Sequence, residues 1–405
     1  MKRLDFKKKL ILFFIVSVTA GCQQIVVDEE VVQESELVEM DVETDEEIVY
    51  EMEEDISEDV LGVIYELFPD ENLAEGIVET LNPLIEDREI TIQSIVTQSE
   101  LDEVTRLSIS VTMRDSGQLV SRNIQQLDGV EFLTNLTYLD ASGNQISDLT
   151  PLTNLTNLTS LFLSNNEISD ISPLSGLVKL LRLQLCNNII SDFTPLSTLT
   201  NLTSLALINS NISDLTPLSY LNDLTSLHLT TNNIYDLTPL SSLINLSTLC
   251  LNYNEVTDIF PLANHVNLVR LFLRNNQIKD LTPLSNLESL ELLKLSSNNV
   301  SDVSPLSSLP LLHLGLGDNE IIDVTPLSHL LYLETLDLKN NEISSIAPIS
   351  NMTSLRWLNL DGNEITDLQL ICEVITDNFH MGDDGWRVSP PPHGVGEIIE
   401  NLSCP

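Results

Sequence analysis

Residues 147–168 read SDLTPLTNLTNLTSLFLSNNEI, and the following two hundred residues repeat this text with small changes. Proline marks the beat. It falls at 151, 173, 195, 217, 239, 261, 283, 305, 326 and 348, so seven steps of 22 residues are followed by one of 21 and a last one of 22. A period of that length is the mark of a solenoid, whose units bury their apolar edges only against their neighbours. Around the prolines the frame L-x-x-L-x-L-x-x-N-x-I recurs eleven times, from Leu136, Leu139, Ala141, Asn144 and Ile146 to Leu355, Leu358, Leu360, Asn363 and Ile365.

Each letter of the frame has a physical reading. Leu161 and Leu163 alternate with Ser160, Phe162 and Ser164, which predicts one short strand per repeat, leucines inward and the other residues on the open face of a parallel sheet. Asn166 and its equivalents stand where the strand ends, placed to bond backbone groups that the turn leaves unpaired; Ser210 alone interrupts that column, and local looseness is expected there. In the other half of the repeat, Thr150 is read as an N-cap and Pro151 as the first residue of a short helical turn, where its missing N–H costs nothing. An Asp precedes the proline by three residues in nine of ten cases, with Ser345 the exception. Such a column of like charges must be held by backbone N–H groups or by cations, and two readings stand, capping and calcium bridging.

Before the repeats, Phe68 to Asn82 (FPDENLAEGIVETLN) places Leu73, Ile77 and Leu81 on one helical stripe behind Pro69 and Asp70. Thr97 and Glu100 are spaced as a capping box. A solenoid's first repeat would otherwise expose its core edge-on, so a helical cap at this point has a reason. The expected fold is an α/β solenoid, with a parallel concave sheet, short 3-10 turns on the convex side and a small helical N-terminal cap.

The 22-residue period, the half-repeat D-[LIV]-[ST]-P-L-x-x-L and the cap containing Pro69, Asp70, Leu73 and Ala74 together resemble the internalin-type leucine-rich repeats of bacterial surface proteins, over about residues 65–370. The resemblance implies a concave face that binds other proteins. The chain shows neither the family's immunoglobulin-like adaptor nor a Leu-Pro-x-Thr-Gly wall anchor.

The first residues propose a different attachment. Lys2, Arg3, Lys7, Lys8 and Lys9 precede an apolar run from Leu10 to Ala20, then Gly21 and Cys22. That is an export signal, and its apolar run is well short of the ~20 residues a membrane-crossing helix needs. The small residues before Cys22 resemble the lipobox of bacterial lipoproteins, in which the Cys receives lipid; Thr19 departs from the usual Leu, so ordinary signal cleavage is the second reading. Gln23 after the Cys, in place of Asp, favours the outer membrane in that family's sorting logic, in a cell that has one. From Asp28 to Asp59 there are seventeen acids and no base, a solvated tether unable to fold alone. The expected layout is a signal peptide over 1–21, a lipidated Cys and acidic tether over 22–59, a helical cap with a first irregular repeat over 60–123, repeats over 124–370 and a C-terminal cap over 371–405.

A formal charge of −43 repels nucleic acid and anionic lipid, so only an N-terminal lipid would hold the chain to a membrane. Against this background the few bases are informative. Of nine Lys and Arg after Arg122, five (Arg182, Arg270, Arg274, Lys294 and Lys339) fall at outward strand positions. Arg270, Phe272, Arg274 and Lys294 share two adjacent strands, with Tyr253 beside them and His228 nearby, a set of cations and aromatics of the kind that anchors protein interfaces. An anionic protein loop or acidic glycan, such as a glycoprotein carries, is the expected ligand. Two other classes stay open: a structural envelope spacer without a tight partner, and a thiol or metal enzyme built on His228 and Cys250, which occupy equivalent positions on neighbouring strands. Ala206 and Phe272, the next residues in that row, supply neither a third ligand nor an orienting carboxylate, so no catalytic residue, metal or cofactor is assigned. Cys186 and Cys250 are too far apart to bridge; Cys372 and Cys404 are a candidate disulfide after the last repeat.

Overall fold

The central leucine of each strand stands opposite the central leucine of the next, from Leu107 and Leu139 at one end to Leu336 and Leu358 at the other. That register builds one parallel sheet of twelve strands, each three residues long, ordered as in the chain from Arg106–Ser108 to Trp357–Asn359. The computed structural model describes residues 59–110, 112–113, 119–367 and 370. From Gly62 onward these belong to one unit. The export signal, Cys22, the acidic tether up to residue 58, and the C-terminal region with Cys372 and Cys404 lie outside the described residues.

The sheet holds one strand more than the eleven the repeat frame predicts. Arg106–Ser108 pairs in parallel with Tyr138–Asp140 because Leu107 and Ile109 point inward like the later leucines, both fully buried. Its repeat carries no proline and has Thr112 where the frame has Asn, so the frame passes it by.

One repeat shows what holds all of them. Leu152, Leu155, Leu158, Leu161, Leu163, Ile168 and Ile171 are at most 1% exposed. Each such side chain contributes about 1.5–3 kcal/mol by leaving water, which is what sets the inward letters of the sequence. The buried Asn then closes the turn that follows the strand. Asn166 donates from Nδ2 to the carbonyls of Leu163 (3.1 Å) and Ala141 (3.0 Å), and its Oδ1 accepts the N–H of Ile146 at 3.0 Å. One side chain thus satisfies three main-chain groups in two repeats, as its place in the frame predicts. At Ser210, which is fully buried, the shorter hydroxyl reaches the carbonyls of Ile208 and Leu185 only at 3.3 and 3.4 Å.

Of the eleven 3-10 turns among the described residues, the ten from Thr150–Leu152 to Ala347–Ile349 carry a proline in their first turn, and Val130–Phe132 carries none. Thr150 is not their N-cap, contrary to the sequence reading. It is the first residue of the turn Thr150–Leu152, and the carboxylate of Asp148, two residues earlier, accepts its N–H at 2.8 Å. The same bond recurs from Asp170 to Asp323. The hydroxyl is committed elsewhere: Ser172 and Thr194 donate theirs to Asp170 and Asp192 at 2.9 and 3.0 Å, so it is the Asp that caps the start of the turn. Hydroxyl and N–H donors hold the carboxyls of Asp214, Asp236 and Asp280 below the ordinary value. The capping reading of the Asp column therefore describes its contacts.

The N-terminal cap forms as its pattern predicts. Leu73, Ile77 and Leu81 of the helix Glu71–Leu81 are fully buried, and Asp70 accepts the N–H groups of Asn72 (3.0 Å) and Leu73 (3.1 Å). The other oxygen of Asp70 accepts from Gln125 N (2.7 Å) and Gln126 N (3.2 Å), so one carboxylate both starts the helix and fastens it to the first regular repeat. Thr97 and Glu100 form the capping box, and Arg88 bonds Glu100 at 2.8 Å.

Candidate partner-binding face

The strands turn alternate residues away from the core, so the register of the sheet fixes which outward side chains are neighbours. Thr248, Arg270 and Leu292 lie in one row across three strands, and His228, Cys250, Phe272, Lys294 and Gly315 in the next. Arg270 is exposed and anchored at its base, donating from Nε to Thr248 Oγ1 at 3.1 Å. Arg274 leaves the end of the same strand; its N–H is held by Asn252 Oδ1 at 2.8 Å and its carbonyl accepts Tyr253 N at 2.7 Å. Tyr253, 57% exposed, stands at the rim with a left-handed backbone (φ 56°). The structure therefore gathers Tyr253, Arg270, Phe272, Arg274 and Lys294 on three consecutive repeats, with His228 one strand further along.

Two glycines shape the ground beside them. A Cβ at Gly315 would stand 2.8 Å from Lys294 Cδ, and one at Gly317 3.3 Å from an oxygen of Asp337, so both side chains lean over space that only glycine leaves. Burial, and then the neighbouring Arg274, lower the Lys294 pKa, while Asp337 opposes the shift. An incoming anion would relieve the repulsion between Arg274 and Lys294.

His228 and Cys250 stand opposite each other in the register of adjacent strands, as the sequence predicts. Their chemistry is that of a packed face. Cys250 is 9% exposed and burial pushes its thiol up to about 12, with Arg270 opposing only in part, so the nucleophilic thiolate is scarce at neutral pH. Burial and Arg270 lower the His228 pKa, and its Nε2 lies 3.0 Å from Ser226 Oγ. Among the described residues no group of three or more His, Cys, Asp or Glu is arranged to hold a metal ion.

A second cluster lies at the N-terminal end of the same face. Arg106 sits 3.9 Å over the Tyr138 ring, and that ring is 5.4 Å from Phe162. Arg106 escaped the sequence reading because it belongs to the irregular first strand; the alternation of Leu107 and Ile109 was the signal available. Asp140 lies in the row beside them, its pKa raised by burial.

Twelve strands in register, ten proline-bearing 3-10 turns and a column of Asn rungs broken only at Ser210 define a leucine-rich-repeat protein. Leucine-rich-repeat family profiles match residues 134–198 and 244–308 in overlapping pairs of repeats, and residues 313–365. An internalin (inlF) from Listeria monocytogenes is similar at 35% identity, with 78% of this chain and 96% of that one covered and a TM-score of 0.67. This chain belongs to the internalin-type leucine-rich-repeat family. The functional domain of InlJ from the same organism, which includes a cysteine ladder, shares the fold at 24% identity (77% and 65% covered, TM-score 0.63). So does the ectodomain of the Arabidopsis thaliana receptor kinase GASSHO1/SCHENGEN3, solved in complex with Casparian strip integrity factor 2, at 21% identity (62% and 33% covered, TM-score 0.53). Among the described residues no helix is long and apolar enough to cross a membrane.

Proposed function

We propose that this chain is an exported cell-envelope lipoprotein, tethered through Cys22 at the outer membrane or cell surface, whose sheet face binds another protein and serves in adhesion. One observation carries the reading. In a chain with 61 acids and 18 bases, Arg270, Arg274 and Lys294 converge on two adjacent outward strands around Phe272. A cationic ground with an aromatic at its centre suits an acidic loop of a protein or glycoprotein, and the remaining acids repel other surfaces. Arg and Tyr, the residues most often found as interface anchors, are here the exposed ones. That the plant receptor was solved with a bound factor fits a fold suited to holding protein ligands. Membership of the internalin-type family supports a protein-interaction scaffold rather than an enzyme.

The test is the double variant Arg270→Glu, Arg274→Glu. Both side chains are exposed, so the melting temperature should hold while capture of extracellular proteins by the immobilised chain loses specific partners. Equal capture by both proteins would remove the reading. Protease treatment of intact cells checks the placement: cleavage of the repeats puts them outside, and protection until the envelope is opened puts the partner beneath the outer membrane.

A further inference from the structure

The Asn ladder fails once, at Ser210, and the failure isolates the backbone of Ile190. In the other repeats from Ile146 to Ile321 the residue two positions after the ladder Asn is held through both its main-chain groups by the next repeat, and at Ile343 its N–H still is. Ile168 donates its N–H to Asn188 Oδ1 at 3.1 Å, and its carbonyl accepts Ile189 N at 3.0 Å. Ile234 does the same with Asn254 Oδ1 (3.0 Å) and Glu255 N (2.9 Å). At Ile190 neither bond exists. Ser210 has no carboxamide, and its hydroxyl is turned to the carbonyls of Leu185 and Ile208. Asn211, whose N–H should meet the Ile190 carbonyl, is flipped into the left-handed region at φ 58°, in a turn where Asn209 is already left-handed at 51°. Every other regular repeat has one such residue at the turn; this one has two.

Ile190 is only 3% exposed, so its unpaired N–H and C=O each carry a desolvation cost of about 1–3 kcal/mol. They border a cleft of about 640 Å³, within the ~300–1,000 Å³ of small-ligand sites. Its lining is amide-rich, with Asn188, Asn209, Asn211, Asn232 and Asn233, and contains no charged side chain in a chain of 61 acids. The amides are pre-set. Asn209 gives Nδ2 to Asn187 Oδ1 (2.9 Å) and Asn211 Oδ1 takes Nδ2 of Asn233 (2.7 Å), which leaves the acceptors Asn209 Oδ1 and Asn233 Oδ1 and the donor Asn211 Nδ2 for a ligand. Ile189, 69% exposed, adds an apolar surface at the cleft.

We infer that this cleft binds a neutral saccharide unit. A sugar hydroxyl both donates and accepts, and the cleft offers donors (Ile190 N–H, Asn211 Nδ2) and acceptors (Ile190 C=O, Asn209 Oδ1, Asn233 Oδ1) to vicinal hydroxyls, while Ile189 packs against the C–H face of the ring. A peptide would meet no apolar pocket for its side chains. The site lies two repeats before the cationic cluster and stands or falls independently of it.

The full chain, labelled with 15N, is titrated with the methyl glycosides of glucose, galactose, mannose and N-acetylglucosamine, and with glucuronate as the anionic comparison. At least one neutral sugar should shift the Ile190 backbone amide and the Asn211 side-chain amide saturably, and glucuronate should bind more weakly. Ser210→Asn, which rebuilds the rung, should raise the melting temperature and weaken binding by about tenfold or more. Asn211→Gly, which tolerates the left-handed turn and lacks the amide, should weaken binding without moving the melting temperature. No saturable shift with any neutral sugar, meaning that the cleft holds water alone, overturns the inference. So does binding that survives both variants, or that favours glucuronate.

Discussion

His265 Nε2 lies 3.1 Å from the carbonyl oxygen of Leu240, one repeat earlier in the core, and its Nδ1 has no partner. A carbonyl only accepts, so Nε2 carries a proton, and a second proton on Nδ1 would place a buried charge with no partner beside it. The residue is fully buried where Leu243 and Leu287 sit in the neighbouring repeats, and burial drives its pKa below the ordinary histidine value. The unfolded chain takes up a proton near pH ~6.5 that the folded chain refuses. Stability therefore falls as the pH drops through that window, and His228, lowered in the same sense, adds to the slope. His265→Leu should raise the melting temperature and flatten the decline between about pH 6.5 and 5, leaving the His228 share. Urea midpoints at the two ends of that range decide it; an unchanged slope would clear His265 of the effect.

Asp70 supports a second prediction, because its two oxygens serve two elements. Asp70→Ala removes the cap of the helix Glu71–Leu81 and the bonds to Gln125 and Gln126 together, and should cost about 2–3 kcal/mol. Asp70→Asn keeps one acceptor and should lose about half as much. In a chain of nearest-neighbour contacts the damage starts at the end, so hydrogen exchange should quicken first in the cap and the earliest repeats while the strands near Leu293 stay protected. Uniform loss of protection along the sheet would argue against a fastening role.

The third prediction concerns the thiols. Cys186 and Cys250 are both buried thiols, and the Cys250 thiol is pushed up to about 12. At pH 8 only about one such thiol in ten thousand is ionised. An aromatic disulfide reagent should leave both unlabelled in the folded chain and label both in denaturant, as read by peptide mass spectrometry. Rapid labelling of Cys250 in the native protein would revive a nucleophilic role for the pair it forms with His228.

The parts of the molecule set by local rules could be read directly from the sequence. The inward leucines, the Asn rungs, the capping box at Thr97 and the amphipathic helix behind Asp70 each depend on residues close in sequence or on a strict period. The partners of the cationic cluster were legible for the same reason, since a fixed period places Phe272 beside Lys294. What escaped depends on departures from the period. Arg106 lies in a strand without the frame's proline or Asn, so its place over Tyr138 could not be counted off. His265 was visible only as the one histidine in a leucine column, and nothing in the sequence says which of its nitrogens is paired. The left-handed turn at Asn211 follows from losing a carboxamide at Ser210, and the direction of a peptide flip is not written in residue types.

The last repeats show how such a departure can be repaired at a distance. Ser345 stands where the other repeats place Asp, and Asp367, one repeat later, supplies the missing carboxylate. It accepts Ser345 Oγ at 2.6 Å, Ile346 N at 3.0 Å and Ala347 N at 3.3 Å, covering the start of the turn Ala347–Ile349. These donors hold the Asp367 carboxyl below the ordinary value against the opposing effect of burial. Asp367→Ala should speed amide exchange at Ile346 and Ala347 by about fivefold, the equivalent of one lost cap, and leave the turns before it unchanged. Adding Ser345→Asp to that variant puts a carboxylate back two residues before Ala347, as in the other turns, and should restore protection at Ala347. If Ser345→Asp fails to do so, the link between repeats, and not the cap, is what Asp367 provides.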